Sequence, residues 1–350
     1  MRNGFHGRIC RVKVLKNWKF WLGLAISLIF LYLALRGLRL ADLVDVLGRA
    51  NYWWLLPGVA VYFVAVWVRA WRWRYLLLPI KEIPTRRLFP TTVIGYLGNN
   101  IFPARAGELL RIVVLKKDEQ VAISASLATI IVERIFDGVT MLAFIFVNLG
   151  EVAKLTSSSG FVVNIREVAI WGTGIFIAAL LFFLLAAMFP ERSLVLFEAL
   201  AQKLLPVRFR GKIVGLAEQF LGGLAALRSP RAILMIFLTS VVIWLLETLK
   251  YWFVMHAFPF TVSFFTLMLM NGIVNLATTI PSAPGYIGTF DAPGIAVLTA
   301  YGVPQALAAG YTLVLHAALW LPITALGVYY MLREGISWSL ESLQKMRAEG

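Results

Sequence analysis

The sequence holds one cysteine, Cys10, and three histidines, His6, His256 and His316. One cysteine excludes an internal disulfide framework and a cysteine-rich zinc site, and so few histidines argue against a histidine-built metal centre. No metal and no cofactor are expected. Charge is also scarce: Asp, Glu, Lys and Arg make up 15% of the 350 residues, against roughly 25% in soluble domains. No Gly-rich phosphate loop of the P-loop type occurs, so ATP-driven pumping by this chain alone has no support. What is abundant is apolar, with 60% hydrophobic residues and a mean hydropathy of +0.80. A water-soluble enzyme is excluded.

A bilayer core of about 30 Å requires about 20 apolar residues of helix. Six stretches qualify, at 18–35, 53–76, 121–149, 167–189, 231–257 and 305–332. The first follows a basic segment but offers no small-residue cleavage site, so it reads as an uncleaved anchor. Two further apolar stretches, 88-LFPTTVIGYLGNNIFPARAGELLRIVVL-115 and 263-SFFTLMLMNGIVNLATTIPSAPGYIGTFDAPGIAVL-298, are interrupted by a Pro/Gly knot. Irregular backbone survives at membrane depth only when packed in protein or lining a wet cavity, so both read as re-entrant hairpins. The expected fold is an all-α polytopic membrane bundle of about six full spans with two re-entrant helical hairpins. A basic arm (1–17), an amphipathic connector (about 191–230) and a tail (333–350) complete the chain.

Lys and Arg number 33 against 18 acids, a formal charge of +15. Twenty-six of these bases fall in segments 1–19, 69–87, 105–117, 190–231 and 333–347, five fall in the alternate loops, and Arg134 and Lys250 lie within spans. That bias is a positive-inside signal and places both termini in the cytoplasm. It also removes the need for a nucleic-acid partner. The run 67-WVRAWRWRY-75 interleaves aromatics with Arg, which suits nucleic-acid stacking; directly after a span it reads instead as an interfacial belt.

The two broken stretches repeat one pattern. Pro103 precedes Gly107 as Pro284 precedes Gly288, and Arg134 and His316 stand at matching places in the spans that follow. The units, about 53–149 and 231–332, each read span, hairpin, span, and the charge bias runs them in opposite directions. Inverted repeats with interrupted helices are a transporter arrangement, with substrate handled near the midplane.

Charges inside spans must be paired or wet. Glu133 and Asp137 share a helix face while Arg134 projects about 100° away, an arrangement that suits a carboxylate pair meeting a cation from elsewhere and an Arg meeting an anionic headgroup. Glu247 and Lys250, three apart, read as a pair. Arg105 and Glu108 either close the first hairpin or, with Arg111, attract phosphate. Asp291 either caps the following helix or meets a cationic headgroup. His316, deep in its span, is a candidate polar contact; His256 reads as interfacial.

The runs 95-GYLGNNIFPARAGELLR-111, 126-SLATIIVERIFDG-138, 280-IPSAPGYIGTFDA-292 and 302-GVPQALAAGYTLVLHAALWLP-322 together resemble the lysylphosphatidylglycerol synthase transmembrane region, or flippase-like domain family, over roughly 20–330. The resemblance implies a multi-pass domain of the cell membrane that moves a polar phospholipid or glycolipid across the bilayer. Some members join it to a soluble transferase; none is expected here, and the chain is expected not to be an enzyme. Tyr286, Asp291 and His316 depart from residues common in the family (Gly, Glu and Arg), which leaves the headgroup open. In this reading Arg105, Glu108 and Arg111 line a cytoplasmic entrance, Glu133, Arg134 and Asp137 a polar centre, and Tyr286 and Asp291 an outer gate. The partner is a membrane lipid, with a homo-oligomer or a lipid-modifying transferase as further partners. The rival readings are a small-solute secondary transporter, a membrane-embedded enzyme acting on lipid-linked sugars, and an accessory subunit of such an enzyme.

Overall fold

The computed structural model describes residues 18–102, 106–148, 160–204, 206–280 and 282–335. Among these residues there are thirteen α-helices and no strand. They are α1 (Trp18–Leu35), α2 (Leu40–Gly48), α3 (Leu55–Leu77), α4 (Thr85–Ile101), α5 (Ala106–Glu119), α6 (Ile123–Val147) and α7 (Gly160–Met188). The remainder are α8 (Pro190–Leu204), α9 (Val207–Gly223), α10 (Pro230–Met255), α11 (Phe264–Ala277), α12 (Asp291–Ala300) and α13 (Gln305–Arg333).

Helices α3, α10 and α13 are each long and apolar enough to cross a bilayer unaided. Two bent pairs, α1 with α2 (83°) and α7 with α8 (103°), reach the same length and apolarity only when each pair is taken as one broken span. The stretch Leu40–Gly48 is thus a helix turned sharply off α1. Helix α6 has the length of a span, but Glu133, Arg134 and Asp137 lie within it. Those charges are tolerated because the helix is buried on nearly every side.

Both Pro/Gly-broken stretches fold as helix, break, helix: α4 and α5 flank the first break, and α11 and α12 flank the second. The first hairpin closes unusually tightly. A Cβ at Gly98 would sit 2.6 Å from Gly107 Cα, and one at Gly107 would overlap Gly95 O, so only glycine permits this approach.

The order α3, α4–α5, α6 recurs as α10, α11–α12, α13, and the packing follows that correspondence. Helices α3 and α10 form the most extensive pair and run antiparallel: Gly58 lies against Val254, Arg69 bonds Glu247, and Arg72 bonds Ser240. Helix α4 packs on α13, with Leu97 against Gly327 and Asn100 bonded to Thr324. Its counterpart α11 packs on α6, with Gly272 against Ile145. Each unit thus lays its first hairpin helix on the last helix of the other.

Apolar cores fill the two ends of this bundle. Leu267, Val274, Leu298, Tyr311 and Leu315 join Val254 and Phe258 at one end. Trp73, Leu76, Ile83, Leu115, Val121 and Leu227 join at the other. The predicted connector packs there too: Ser124 and Gln219 share a hydrogen bond of 2.7 Å, and Gly223 abuts Ala125 and Ala128. Lys81 and Arg87 reach Glu119, and Lys117 donates to Glu334 O, so 81–87, 117–119 and 334 share this end.

Candidate functional site

Between the two cores lies a band of ionised side chains. Arg72 is fully buried and forks onto Asp137, with Nη1–Oδ1 at 2.6 Å and Nη2–Oδ2 at 3.3 Å, while Nη1 also donates to Ser240 Oγ at 2.7 Å. Asp137 further accepts from Trp244 Nε1 at 3.0 Å and pairs with Arg134 Nη2 at 3.1 Å. Arg111 donates to Glu133 Oε2 at 2.7 Å and stacks over the Trp73 ring, its guanidinium carbon 3.7 Å from the centroid. Arg69 bonds Glu247 at 3.1 Å, and Lys250 pairs with the same carboxylate. Arg134 Nε stands 3.7 Å from Glu108.

Arg69, Arg72, Arg111, Arg134 and Lys250 thus meet Glu108, Glu133, Asp137 and Glu247 in one connected network with one more cation than anion. Each ion brought out of water costs several kcal/mol, repaid only by paired, hydrogen-bonded geometry. Planar arginine forks supply that geometry.

The network walls a cavity of ≈ 140 Å³. Tyr62, Arg69, Glu108, Arg134, Glu247 and Lys250 line it from the first unit and α10, and Asn275, Tyr286, His316 and Trp320 from the second. The last turn of α4 meets the second break here: Asn100 lines this wall, and Asn100 O lies 3.6 Å from where a Gly285 Cβ would stand. A smaller void of ≈ 50 Å³ beside it is bounded by Arg72, Gly107, Arg111 and Glu133.

The second tip carries its own polar pair. His316 Nδ1 lies 2.8 Å from Asp291 Oδ1, and His316 Nε2 lies 2.7 Å from Gly285 O. Asp291 Oδ2 also accepts the Gly288 N–H at 2.9 Å. Gly285 (φ +72°) and Tyr286 (φ +61°) are both left-handed. For a bulky residue such as Tyr286 that conformation marks stored strain at a functional position.

These positions redraw the sequence expectations. Arg105 lies outside the described residues. Glu108, Arg134, Tyr286 and His316 line one cavity, rather than dividing into an entrance, a centre and an outer gate. Arg111 is buried on Glu133 away from that cavity, and Asp291 is buried behind His316. The cation that Glu133 and Asp137 were expected to find elsewhere is supplied by Arg72, Arg111 and Arg69. Glu247 and Lys250 do pair, but within the larger network.

Arg69 and Arg72 were missed. They were counted as cytoplasmic bases in an interfacial belt, yet they are 8% and 0% exposed, and Trp73 is fully buried. The belt reading holds for Trp67, which stays exposed. The missing signal was periodicity: the buried face Tyr62, Val66, Arg69, Trp73, Leu76 continues the 3.6-residue spacing straight through the basic run.

A profile of the lysylphosphatidylglycerol synthase TM region matches residues 20–327, nearly the whole described bundle. The chain belongs to the lysylphosphatidylglycerol synthase transmembrane-region family. Relatives of this family with assigned names include a glycosyltransferase, AglD of Haloferax volcanii, 27% identical over 299 residues. That match covers 77% of this chain but 47% of AglD, so the chain spans about half of that relative. A UPF0104 membrane protein of Methanothermobacter thermautotrophicus is 24% identical over 86% of this chain and 92% of its own length. One of Pyrococcus horikoshii is 24% identical over 83% and 90%. Within that match, 106–111 and 126–138 bring Glu108, Arg111, Glu133, Arg134 and Asp137 to the ionic band, and α3 and α10 bring Arg69, Arg72, Glu247 and Lys250.

Proposed function

We propose that this membrane protein is a flippase- or scramblase-like lipid transporter, moving a polar phospholipid or glycolipid across the cell membrane with both termini cytoplasmic. One juxtaposition carries the reading. Phe290 lines the cation-bearing polar cavity, and two residues further on Ala292 and Pro293 line an apolar groove of ≈ 580 Å³ between α1 and α12, with Phe30, Leu33 and Ile295. A polar chamber beside an apolar groove matches a headgroup and an acyl chain joined in one molecule. The cavity of ≈ 140 Å³ holds about five waters, so the tips must part for a headgroup to enter.

Within the cavity, Arg69, Arg134 and Lys250 present donors, and Tyr62, Tyr96 and Asn275 present neutral polar contacts. Arg134 is the cation best placed to leave its partners for a phosphate, because its side chain remains 36% exposed while Arg72 has none. The relative named as a glycosyltransferase favours a sugar-bearing lipid among the headgroups.

The test is reconstitution of the full chain into liposomes containing headgroup-labelled anionic, zwitterionic and glycosylated lipids, followed by a leaflet-accessibility assay. Movement faster than in empty liposomes is expected for at least one class. Movement at the empty-liposome rate for all classes would overturn the reading. A cavity of this size also suits a small-solute transporter, which solute uptake without lipid movement would establish.

A further inference from the structure

His316 bridges two acceptors. Its Nδ1 faces the Asp291 carboxylate at 2.8 Å and its Nε2 faces the Gly285 carbonyl at 2.7 Å. A carbonyl and an ionised carboxylate only accept, whereas a neutral imidazole has a single N–H. Two hydrogen bonds of this length therefore require one proton more than a neutral imidazole and an ionised carboxylate hold between them, carried by the second ring nitrogen or by the Asp291 carboxyl, and a ring flip leaves the requirement unchanged. Asp291 takes the Gly288 N–H on its other oxygen, which accepts in either form of the carboxyl.

The bridge joins α13 to the second hairpin break, whose Gly285, Tyr286 and Phe290 line the cavity. It ties down Gly285, next to Tyr286, where two consecutive residues sit at positive φ. Losing one proton to water leaves the imidazole a single N–H, enough for Asp291 or for Gly285 O but not for both. The other acceptor then faces a nitrogen lone pair, and the break loses one of the two hydrogen bonds that His316 makes to it. The His316 side chain is 14% exposed and lines the cavity, so the proton has access to water there.

The other titratable or charged groups lining that cavity are Tyr62 and Arg69 of α3, Tyr96 of α4, Glu108 of α5, Arg134 of α6, Glu247, Lys250 and Tyr251 of α10, and Tyr286. Its arginines, lysine and glutamates are already bound to one another, Arg134 to Glu108 and both Arg69 and Lys250 to Glu247. We propose that Asp291 and His316 form a proton-binding site, and that release of one proton from it opens the second hairpin tip. The proton is thereby the coupling ion of the transport step; this last part rests on the lipid-transport reading, while the proton site does not.

The experiment uses full-length protein labelled with nitrogen-15 histidine in lipid nanodiscs, with His6→Asn and His256→Asn so that His316 alone reports. On raising the pH from about 5 to 9, one His316 nitrogen is expected to pass from protonated to unprotonated while the other stays protonated. In Asp291→Asn the amide N–H donates to a neutral Nδ1 while its oxygen keeps the Gly288 N–H, so His316 should be neutral throughout. His316 nitrogens that are both unchanged from pH 5 to 9 overturn the proton site. In liposomes of the same lipids, the rate should rise with pH along the nitrogen titration and be flat in Asp291→Asn. Titration with flat rates in both proteins overturns the coupling. Absence of lipid movement at every pH defeats the transport reading, and the nitrogen spectra then decide the proton site alone.

Discussion

Arg72 and Arg134 share the carboxylate of Asp137, and replacing each by Met separates structural from functional charge. Arg72 is wholly buried, forks onto Asp137 and donates to Ser240. Its loss leaves Ser240 without that donor and Asp137 and Glu133, each 1% exposed, short of a cation. Breaking a buried, hydrogen-bonded pair costs about 3–5 kcal/mol, or roughly 10²- to 10⁴-fold in the folding equilibrium at about 1.4 kcal/mol per tenfold. Arg134 also pairs with Asp137, at 3.1 Å, but its side chain is 36% exposed, and Asp137 keeps Arg72 and Trp244 when Arg134 is removed. Arg134→Met should therefore cost clearly less stability than Arg72→Met while lipid movement falls at least tenfold. Reversible SDS unfolding in mixed micelles measures the first quantity, and the liposome assay the second. An Arg72→Met protein within about 1 kcal/mol of the parent would refute the burial reasoning. So would an Arg134→Met protein as unstable as Arg72→Met, and an unchanged rate in Arg134→Met would remove it from the lipid path.

Other consequences are equally direct. Gly107→Ala would drive a Cβ into Gly95 O and to 2.5 Å from Asn99 N, costing about 1–3 kcal/mol or more in unfolding experiments. Gly174→Ala, with nothing within 4 Å, should instead be neutral or stabilise by up to about 1 kcal/mol through helix propensity. Burial pushes the Glu119 carboxyl up, but hydrogen bonds and charge from Lys81 and Arg87 outweigh it and hold the group below its ordinary range. The stability this gives is complete above the ordinary glutamate value and is lost as pH falls through the lowered folded value. Glu119→Gln should therefore lower stability at pH 8, where the pairs with Lys81 and Arg87 are complete, and flatten the acid side of the unfolding profile. Gly285→Ala combines a φ of +72° with a Cβ 2.7 Å from Trp320 Nε1, and should lower the thermal midpoint of the parent protein while sparing its helix content.

Much of the bundle was legible before any coordinates. Apolar runs of span length and the two Pro/Gly knots gave the long helices and the broken ones, because hydrocarbon burial and backbone hydrogen bonding act locally and leave their period in the chain. The repeat was legible for the same reason, since matching knots lie at matching distances from Arg134 and His316. The site was legible only in part. Glu133, Arg134 and Asp137 stood out because a charge inside an apolar run has no innocent reading, but Arg69 and Arg72 hid in a cluster of bases at the end of α3.

By itself, then, the sequence determined the class, the broken helices and which charges needed an explanation, since each follows from the cost of placing one residue type in hydrocarbon. Tertiary structure decided which charges meet. Antiparallel packing of α3 on α10 set Arg69 against Glu247, Lys250 from the same helix completed the pair, and α6 brought Asp137 to Arg72. Meeting of α4 with the second break placed Glu108, Arg134, Tyr286 and His316 around one cavity instead of three stations. Ion pairing depends on distances of a few ångströms between residues as far apart in the chain as 69 and 247, and no local period encodes such a distance.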